Sequence, residues 1–239
     1  MFTWIASPLH TEMEVSLCDF LCSKLSLPRE FRYSEGGAGV IVGTRNEALV
    51  PVLYTAKHRK QKTLFNDFIY GDQQNVGSTE LSSYEGRYTI YSYKSQDESE
   101  NHDFRMLQRL CMFQDLQCRS FKLKDRDDYD VSELRSLIEK DKAEGLIPIV
   151  VIAPTLLNEN THKSRIAEMA AIAEEQQMWL HIDLSTDGCF AFLNRYKFLT
   201  RIEGADSASL DGRLHLRCGQ DLHLMWTKDR DVMITGLQF

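Results

Sequence analysis

The chain has 239 residues, of which 43% are hydrophobic and 26% are charged, so it can bury a sizeable core of the ordinary globular kind. Its net charge of −7 argues against a nucleic-acid surface, because phosphate binding needs clustered lysine and arginine side chains. No apolar stretch approaches the roughly 20 residues of a membrane span, and the N-terminus lacks the pattern of a secretory signal. The six cysteines lack the Cys-x-x-Cys spacing of a zinc site. We therefore expect a cytoplasmic protein with reduced thiols and no metal.

The first predicted helix runs from about Thr11 to Leu25. Thr11-Glu-Met-Glu14 has the spacing of a capping box, in which a hydroxyl and a carboxylate satisfy N–H groups at a helix start. Apolar residues then recur at helical spacing until Ser26-Leu-Pro28, where the proline prevents the helix from continuing.

A glycine-rich turn between a strand and a helix is the first candidate binding site. Gly36-Gly-Ala-Gly39 leads into a short apolar strand, and Gly43-Thr-Arg-Asn-Glu47 then opens a second helix. Exposed N–H groups at a helix N-terminus favour an anion, and the side chains of Thr44, Arg45 and Asn46 can add donors. The alternative is that this turn forms only another capping box, of the Thr-x-x-Glu kind.

The rest of the chain alternates strands and helices in the way that an α/β sheet requires. The second helix is expected to reach about His58, and a polar connection to follow over residues 59–86, with a mobile tip at Gly71–Thr79. The predicted strands are Arg87–Tyr93, Cys118–Leu123, Ile147–Ala153, a run from Trp179 to Asp183, and an antiparallel strand near Leu222–Thr227. The predicted helices are Glu100–Gln114, Val131–Glu144 and Lys163–Gln177, with an acidic turn at Asp125–Asp128. The fold class is therefore α/β, with three layers: a mostly parallel central sheet of about seven strands and helices on both faces.

The second candidate site is the end of the apolar run Trp179-Leu-His-Ile-Asp183. Ligands of open α/β sheets bind outside the carboxyl ends of the strands, so Asp183 lies where a ligand is expected. A carboxylate at the end of a buried strand also needs a cation. From this window alone, Asp183 is equally well explained as a cap for the following helix or as an acceptor for nearby backbone N–H groups.

Several stretches resemble, in the same order, segments of the group II pyridoxal-phosphate (PLP) decarboxylases, the family of aromatic-L-amino-acid and histidine decarboxylases. These stretches are Trp4–Glu14, Gly37–Ala48, Asp141–Pro148, Trp179–Gly188, Ala205–Ser207 and Met225-Trp226. The resemblance spans nearly the whole chain. It implies the large-domain fold of fold-type I PLP enzymes, PLP as the cofactor, and decarboxylation of an aromatic amino acid or histidine.

The resemblance also implies roles for particular residues. The turn containing Thr44, Arg45 and Asn46 would hold the PLP phosphate, Asp183 would pair with the pyridine nitrogen, and Ser185 would pack against the face of the ring. Arg45 stands where the family has a small residue. It would either add a charge-assisted bond to the phosphate or fill the site with its bulk.

The chain departs from the family at the residue that attaches the cofactor. An ungapped alignment places Leu214 at the position of the Schiff-base lysine, and leucine has no amine to form that bond. Arg213 stays protonated and cannot substitute. No lysine occurs between Lys197 and Lys228, so a small error in the alignment does not restore one.

Two further segments also differ from the family pattern. The histidine that stacks on the cofactor ring aligns with Asp97 or Glu98, and a carboxylate cannot stack on a pyridinium ring. The family's Gly-Thr-Thr turn aligns with Leu156-Leu-Asn158, which is larger and less polar.

The alignment also bears on domain organisation and assembly. It leaves out the family's N-terminal arm and C-terminal small domain, so residues 1–239 are expected to form one large domain. We predict a homodimer or a heterodimer with a family member, because the missing arm would leave apolar surface exposed.

Two functional hypotheses follow from the sequence. The first is a pseudoenzyme that binds PLP at most weakly and without a covalent bond. The second is an active or partner-complemented amino-acid decarboxylase.

Overall fold

The computed structural model describes residues 5–70, 84–94, 101–125, 128–219 and 222–237. Its strands are β1 (Ala38–Val42), β2 (Tyr88–Lys94), β3 (Gln117–Asp125), β4 (Asp128–Tyr129), β5 (Ile147–Pro154), β6 (Trp179–Asp183), β7 (Ser207–Asp211) and β8 (His223–Thr227). Its α-helices are α1 (Pro8–Leu25), α2 (Arg45–Tyr70), α3 (His102–Phe113), α4 (Val131–Ala143), α5 (Glu159–Glu175), α6 (Gly212–His215) and α7 (Arg230–Leu237). Short 3-10 helices occupy Arg29–Phe31, Tyr33–Glu35, Gly188–Phe192 and Asn194–Thr200.

The strands form one mixed sheet in the order β1-β8-β7-β6-β5-β2-β3-β4. The five strands from β7 to β3 in this order run parallel, and β8 is antiparallel to both β7 and β1. The prediction of a mostly parallel sheet is confirmed. The prediction of an antiparallel strand near Leu222–Thr227 is also confirmed, by β8. The sheet has eight strands. Besides the predicted ones it contains β7 and a two-residue edge strand, β4, which begins at the last residue of the predicted acidic turn and is antiparallel to β3.

Helices cover both faces of the sheet, as the sequence predicts. One core holds apolar residues of α1, α4 and α5, and the other holds apolar residues of α2, α3 and α7. The inner strands β5, β6 and β7 are buried along almost their whole length, since both of their faces are covered. The described part of the chain has no helix that is long and apolar enough to cross a membrane.

The first helix starts one turn earlier than the sequence analysis predicts. Pro8 occupies its first turn, where the missing N–H of proline costs nothing. Thr11 therefore lies inside the helix and its hydroxyl donates to the carbonyl oxygen of Ser7 at 3.1 Å. The carboxylate of Glu14 accepts a hydrogen bond from the N–H of Ile41 at 2.8 Å. The predicted capping box is wrong, and Glu14 instead ties α1 to the edge strand β1.

The second helix is longer than predicted, because its charged residues have partners in the fold. It continues past His58 to Tyr70, so the predicted connection over residues 59–86 is wrong for its first part. Arg59 donates to the carbonyl oxygen of Met178 at 2.7 Å and to Asp206 at 3.0 Å, and its guanidinium lies over the Trp179 ring. The predicted tip at 71–79 lies outside the described residues.

The cysteines are all unpaired thiols, in agreement with the sequence analysis. Cys18, Cys22 and Cys111 are buried in the two cores. Burial raises the pKa of the Cys18 thiol to about 12, so this group stays protonated and behaves as a small apolar side chain. Cys218 is exposed.

Candidate active site

The polar residues of the candidate site meet at one edge of the sheet. The parallel strands β2, β6 and β7 all end at this edge, with Tyr93, Asp183 and Asp211 in or next to their last positions. Strand β8 is antiparallel to β7, so it begins here with His223. The antiparallel pairing of β1 with β8 returns β1 to the direction of β7, and its end carries the chain into Arg45 at the same edge.

Asp183 is the buried centre of the site, with only 1% of its side chain exposed. Its Oδ2 atom accepts hydrogen bonds from Nε of Arg45 at 2.9 Å and from the hydroxyl of Tyr93 at 3.1 Å, and it lies 2.8 Å from Nη2 of Arg45. Its Oδ1 atom accepts a hydrogen bond from the N–H of Ser185 at 3.0 Å. The sequence-based expectation that this carboxylate needs a cation is met by a residue of the chain itself.

Arg45 is held in position by the start of α2. The hydroxyl of Thr44 accepts a hydrogen bond from the N–H of Glu47 at 3.2 Å, and the Glu47 carboxylate accepts one from the N–H of Gly43 at 2.9 Å. The Thr-x-x-Glu alternative for this turn is therefore present in the structure. These bonds fix the first turn of α2, and the Arg45 side chain, 13% exposed, extends from it towards β6.

The pKa values of the three groups follow from this geometry. Burial alone would raise the pKa of the Asp183 carboxyl, but the charge of Arg45 and the hydrogen bonds from Ser185 hold it well below its usual range. Burial would likewise lower the pKa of the Arg45 guanidinium, and the charge of Asp183 raises it above its ordinary value. Burial, followed by the charge of Asp183, raises the pKa of the Tyr93 hydroxyl. Asp183 and Arg45 are thus both charged, and Tyr93 is a neutral donor.

A second polar network lies directly beneath the ion pair. His181 is fully buried on β6, and its ring nitrogens lie 2.8 Å from the Ser207 hydroxyl and 3.0 Å from the Ser209 hydroxyl. Burial lowers the pKa of His181 to about 3, although the charge of Asp183 opposes this shift. The neutral ring therefore fixes β6 to β7 at the floor of the site.

A cavity of about 400 Å³ opens above these groups. Its lining includes Gly43, Thr44, Arg45, Asp103, Ser185, Thr186, Asp211, Arg213, Leu222 and His223. Arg213 is 58% exposed and lies 3.1 Å from Asp211, so the two arginines of the lining each face a carboxylate. Asp183 is not among the lining residues, because the guanidinium of Arg45 covers it. Lysine is also absent from the described lining.

The structure brings some of the sequence-predicted residues to this cavity and leaves others away from it. Thr44, Arg45 and Ser185 line it. Asn46 is half-buried but does not belong to the described lining. Leu214 lies in the short helix α6, directly after Asp211, and its side chain is outside the described part of the structure. Asp97 and Glu98 also lie outside the described residues.

The turn that replaces the family's Gly-Thr-Thr pattern has a structural role in this chain. Leu156 is buried, and its N–H donates to Nδ1 of His162 at 3.2 Å. Asn158 is the N-cap of α5, and its side-chain oxygen accepts a hydrogen bond from the N–H of Thr161 at 3.1 Å. Helix α5 therefore starts at Glu159, four residues before the predicted start at Lys163.

Sequence reasoning missed Tyr93, Asp211 and His223 as site residues. A signal for the first two was present. Tyr93 lies at the end of a predicted strand, and Asp211 ends the strand that pairs with the predicted strand Trp179–Asp183, at the edge where ligands bind. His223 carried no such signal, since only the antiparallel direction of β8 brings its first residue to this edge.

A known protein family matches the whole chain. The model of the family described as the pyridoxal-dependent decarboxylase conserved domain matches residues 1–239. The chain belongs to this family.

Curated relatives are similar to this chain in sequence, and solved structures are similar to it in fold. The chain is 29% identical to an aromatic-L-amino-acid decarboxylase from Drosophila lebanonensis over 95% of its own length and 54% of the relative. It is 28% identical to tyrosine decarboxylase 2 from Arabidopsis thaliana, covering 99% of the chain and 40% of that protein. The structure of an Oryza sativa decarboxylase, TDC, with PLP and tryptamine superposes with a TM-score of 0.78 at 23% identity, covering 99% of this chain and 46% of that one. The fold is therefore that of the fold-type I PLP decarboxylases, and the chain spans about half the length of the relatives that it matches.

The residues at the site do not fit the family's cofactor in this arrangement. By the resemblance above, Asp183 is the partner of the pyridine nitrogen, yet its Oδ2 already meets two nitrogens of Arg45 and the hydroxyl of Tyr93. A ring nitrogen placed at this oxygen would meet the Arg45 guanidinium. Of the two roles that the sequence analysis leaves open for Arg45, this contact favours filling the site.

Proposed function

We propose that this chain is a non-catalytic member of the pyridoxal-dependent decarboxylase family. One observation carries the proposal: the cavity at the carboxyl ends of the strands has no lysine in its described lining. A Schiff base needs an amine nucleophile within reach of the cofactor, and none of the described lining residues supplies one.

The nearest lysine after the expected position supports the same conclusion. Lys228 follows β8, and its Nζ lies 2.9 Å from Asp206. Asp206 precedes β7, so it lies at the amino end of this strand, whereas the cavity lies at the carboxyl end. The length of the strand therefore separates Lys228 from the site.

Without that amine, any association with PLP is weak and non-covalent in this proposal. The family's carboxy-lyase reaction on aromatic amino acids or histidine would then be absent from this chain. We place the protein in the cytoplasm, where PLP-dependent amino-acid metabolism would bring it together with active family members.

The test is to incubate the purified protein with excess PLP, reduce it with borohydride, and map the modified peptides by mass spectrometry. We expect no site-specific lysine adduct and no release of carbon dioxide from aromatic amino acids or histidine. A stoichiometric adduct at one lysine, or turnover, would establish the alternative of an active or partner-complemented decarboxylase.

We further propose that the chain forms a homodimer through α1 and the adjoining edge of the sheet. Leu9, Met13 and Leu17 follow one another at four-residue spacing on α1 and are at least 45% exposed. They adjoin an apolar groove formed with β1, α2 and α7. Such a continuous apolar surface is unusual for a monomer.

Light scattering at micromolar concentration tests the dimer. We expect a dimer for the natural chain and a monomer for the Met13→Gln, Leu17→Gln double variant. The Met112→Gln, Phe113→Gln variant is the matched control, because these residues are also exposed but lie on α3. A monomeric natural chain would contradict the homodimer, and mixing with a full-length relative would then test the heterodimer.

A further inference from the structure

We infer that Arg45 is a built-in replacement for the cofactor: its guanidinium occupies the cationic position at Asp183 and closes the site to a pyridoxal ring. This inference deepens the proposed function and rests on it, because it names what fills the site of a non-catalytic member.

Arg45 is largely buried and is bonded to several elements of the fold. Its Nε and Nη2 atoms lie 2.9 and 2.8 Å from the same oxygen of Asp183, and its Nη1 donates to the carbonyl oxygen of Asp103 at 3.4 Å. The Tyr93 hydroxyl donates to the same carboxylate. The Arg45 side chain thus connects α2, β6 and α3, and Asp183 joins β2 to them, at the point where a ligand of this sheet would lie.

The charge of Asp183 is compensated within the chain. Asp183 is 1% exposed, and an ionised carboxylate that is buried without a partner is strongly unfavourable. A protein that binds a cationic ring at this position obtains the compensating charge from its ligand. This chain obtains it from Arg45, so the described site is complete in charge without any ligand.

Helix α2 sets the position of Arg45, so the ion pair does not depend on the flexible side chain alone. Arg45 is the first residue of a 26-residue helix. Directly after it, Ala48, Leu49 and Val52 are fully buried beneath the sheet. The capping bonds of Thr44 and Glu47 fix the turn that carries the arginine.

The experiment uses pyridoxamine 5′-phosphate, which contains the same ring and phosphate but has no aldehyde. It cannot form a Schiff base with any lysine, so its binding reports the shape and charge of the site alone. A lysine adduct with PLP would refute the proposed function, whereas the binding of pyridoxamine 5′-phosphate decides this inference separately.

The natural chain is compared with Arg45→Ala and with the matched control Arg213→Ala. Arg213 lines the same cavity but is bound to Asp211 and makes no contact with Asp183. We expect Arg45→Ala to bind pyridoxamine 5′-phosphate at least about tenfold more tightly than the natural chain, by equilibrium dialysis. Its melting temperature should rise with added ligand, because the ligand replaces the lost cation. We expect no such gain for Arg213→Ala.

A gain of less than about tenfold for Arg45→Ala, or an equal gain for Arg213→Ala, overturns the inference. If Arg45→Ala does not fold, the Arg45→Ala, Asp183→Ala double variant decides the matter, since it removes the uncompensated charge as well. The inference requires that this double variant fold, because it no longer contains the uncompensated carboxylate of Asp183. A double variant that also fails to fold would show that Arg45 does not act through Asp183.

Discussion

The buried histidines predict a loss of stability on mild acidification. His181 and His162 are each about 1% exposed or less, and burial lowers their pKa values to about 3 and about 4, from an ordinary value of 6.5. The folded state therefore prefers the neutral rings. Their contribution to stability is complete above pH 6.5 and is lost as the pH falls from there towards the folded-state pKa values.

The magnitude follows from the linkage between protonation and folding. Between pH 7 and pH 5 the unfolded chain takes up most of one proton at each histidine, while the folded chain takes up almost none. With these pKa values, each histidine lowers the free energy of unfolding by about 2 kcal/mol over this interval, and the pair by about 4 kcal/mol. His223, whose pKa burial also lowers, adds to the same trend. Asp183 adds nothing here, because its lowered pKa means that its contribution is lost only at more acidic pH.

Urea unfolding at pH 7 and pH 5 measures this difference, and His162→Gln tests its origin. At His162, protonation also removes the acceptor of the Leu156 N–H, so the charge is disfavoured for two reasons. We expect His162→Gln to lower stability at pH 7 but to reduce the difference between the two pH values by about 2 kcal/mol. The control is His102→Gln, because the His102 side chain is 75% exposed. A difference that His162→Gln leaves unchanged, or that His102→Gln reduces equally, would refute this reasoning.

Substitutions at Leu214 and at Gly39 test the alignment and the packing. Leu214→Lys alone should give no borohydride-trapped PLP adduct at residue 214. Leu214→Lys combined with Arg45→Ala should give one. An adduct in the single variant would show that Arg45 does not block the site. Gly39→Ala would place a Cβ atom 2.5 Å from the Cβ of Cys18, so it should lower the free energy of unfolding by about 1–3 kcal/mol in urea titrations, while Gly219→Ala, with nothing within 4 Å, should not.

The sequence was sufficient to place Asp183, but not to identify its partner. A short apolar run that ends in a carboxylate predicts a residue at the carboxyl end of a buried strand, and the sheet order confirms it. Its pairing with Arg45 joins residues 138 positions apart, so it depends on the return of β1 to the same sheet edge. The sequence left two roles open for Arg45, and only the distance to Asp183 favours one of them.

The errors at the helix boundaries have a related cause. The Thr11–Glu14 motif satisfies the spacing of a capping box, but the same spacing occurs within a helix, and Pro8 starts α1 a turn earlier. The basic residues after His58 suggest a solvated helix end. In the fold, Arg59 is bound to Asp206 and Met178, so the helix continues. In both cases a local pattern was outweighed by a partner that is distant in sequence.

If Leu214 occupies the position of the Schiff-base lysine, as the alignment implies, it is physically consistent with Arg45. Loss of the lysine alone would leave a chain that holds its cofactor only loosely. Asp183 would then be buried without a compensating charge whenever the cofactor was absent. Arginine at position 45 removes this problem, because it supplies the cation within the chain at 2.8 Å from the carboxylate. In a chain that still used its lysine, the same arginine would compete with the ring for Asp183. In our proposal, each residue would be unfavourable in an active decarboxylase, and together they give a site whose buried carboxylate needs no ligand for its compensating charge.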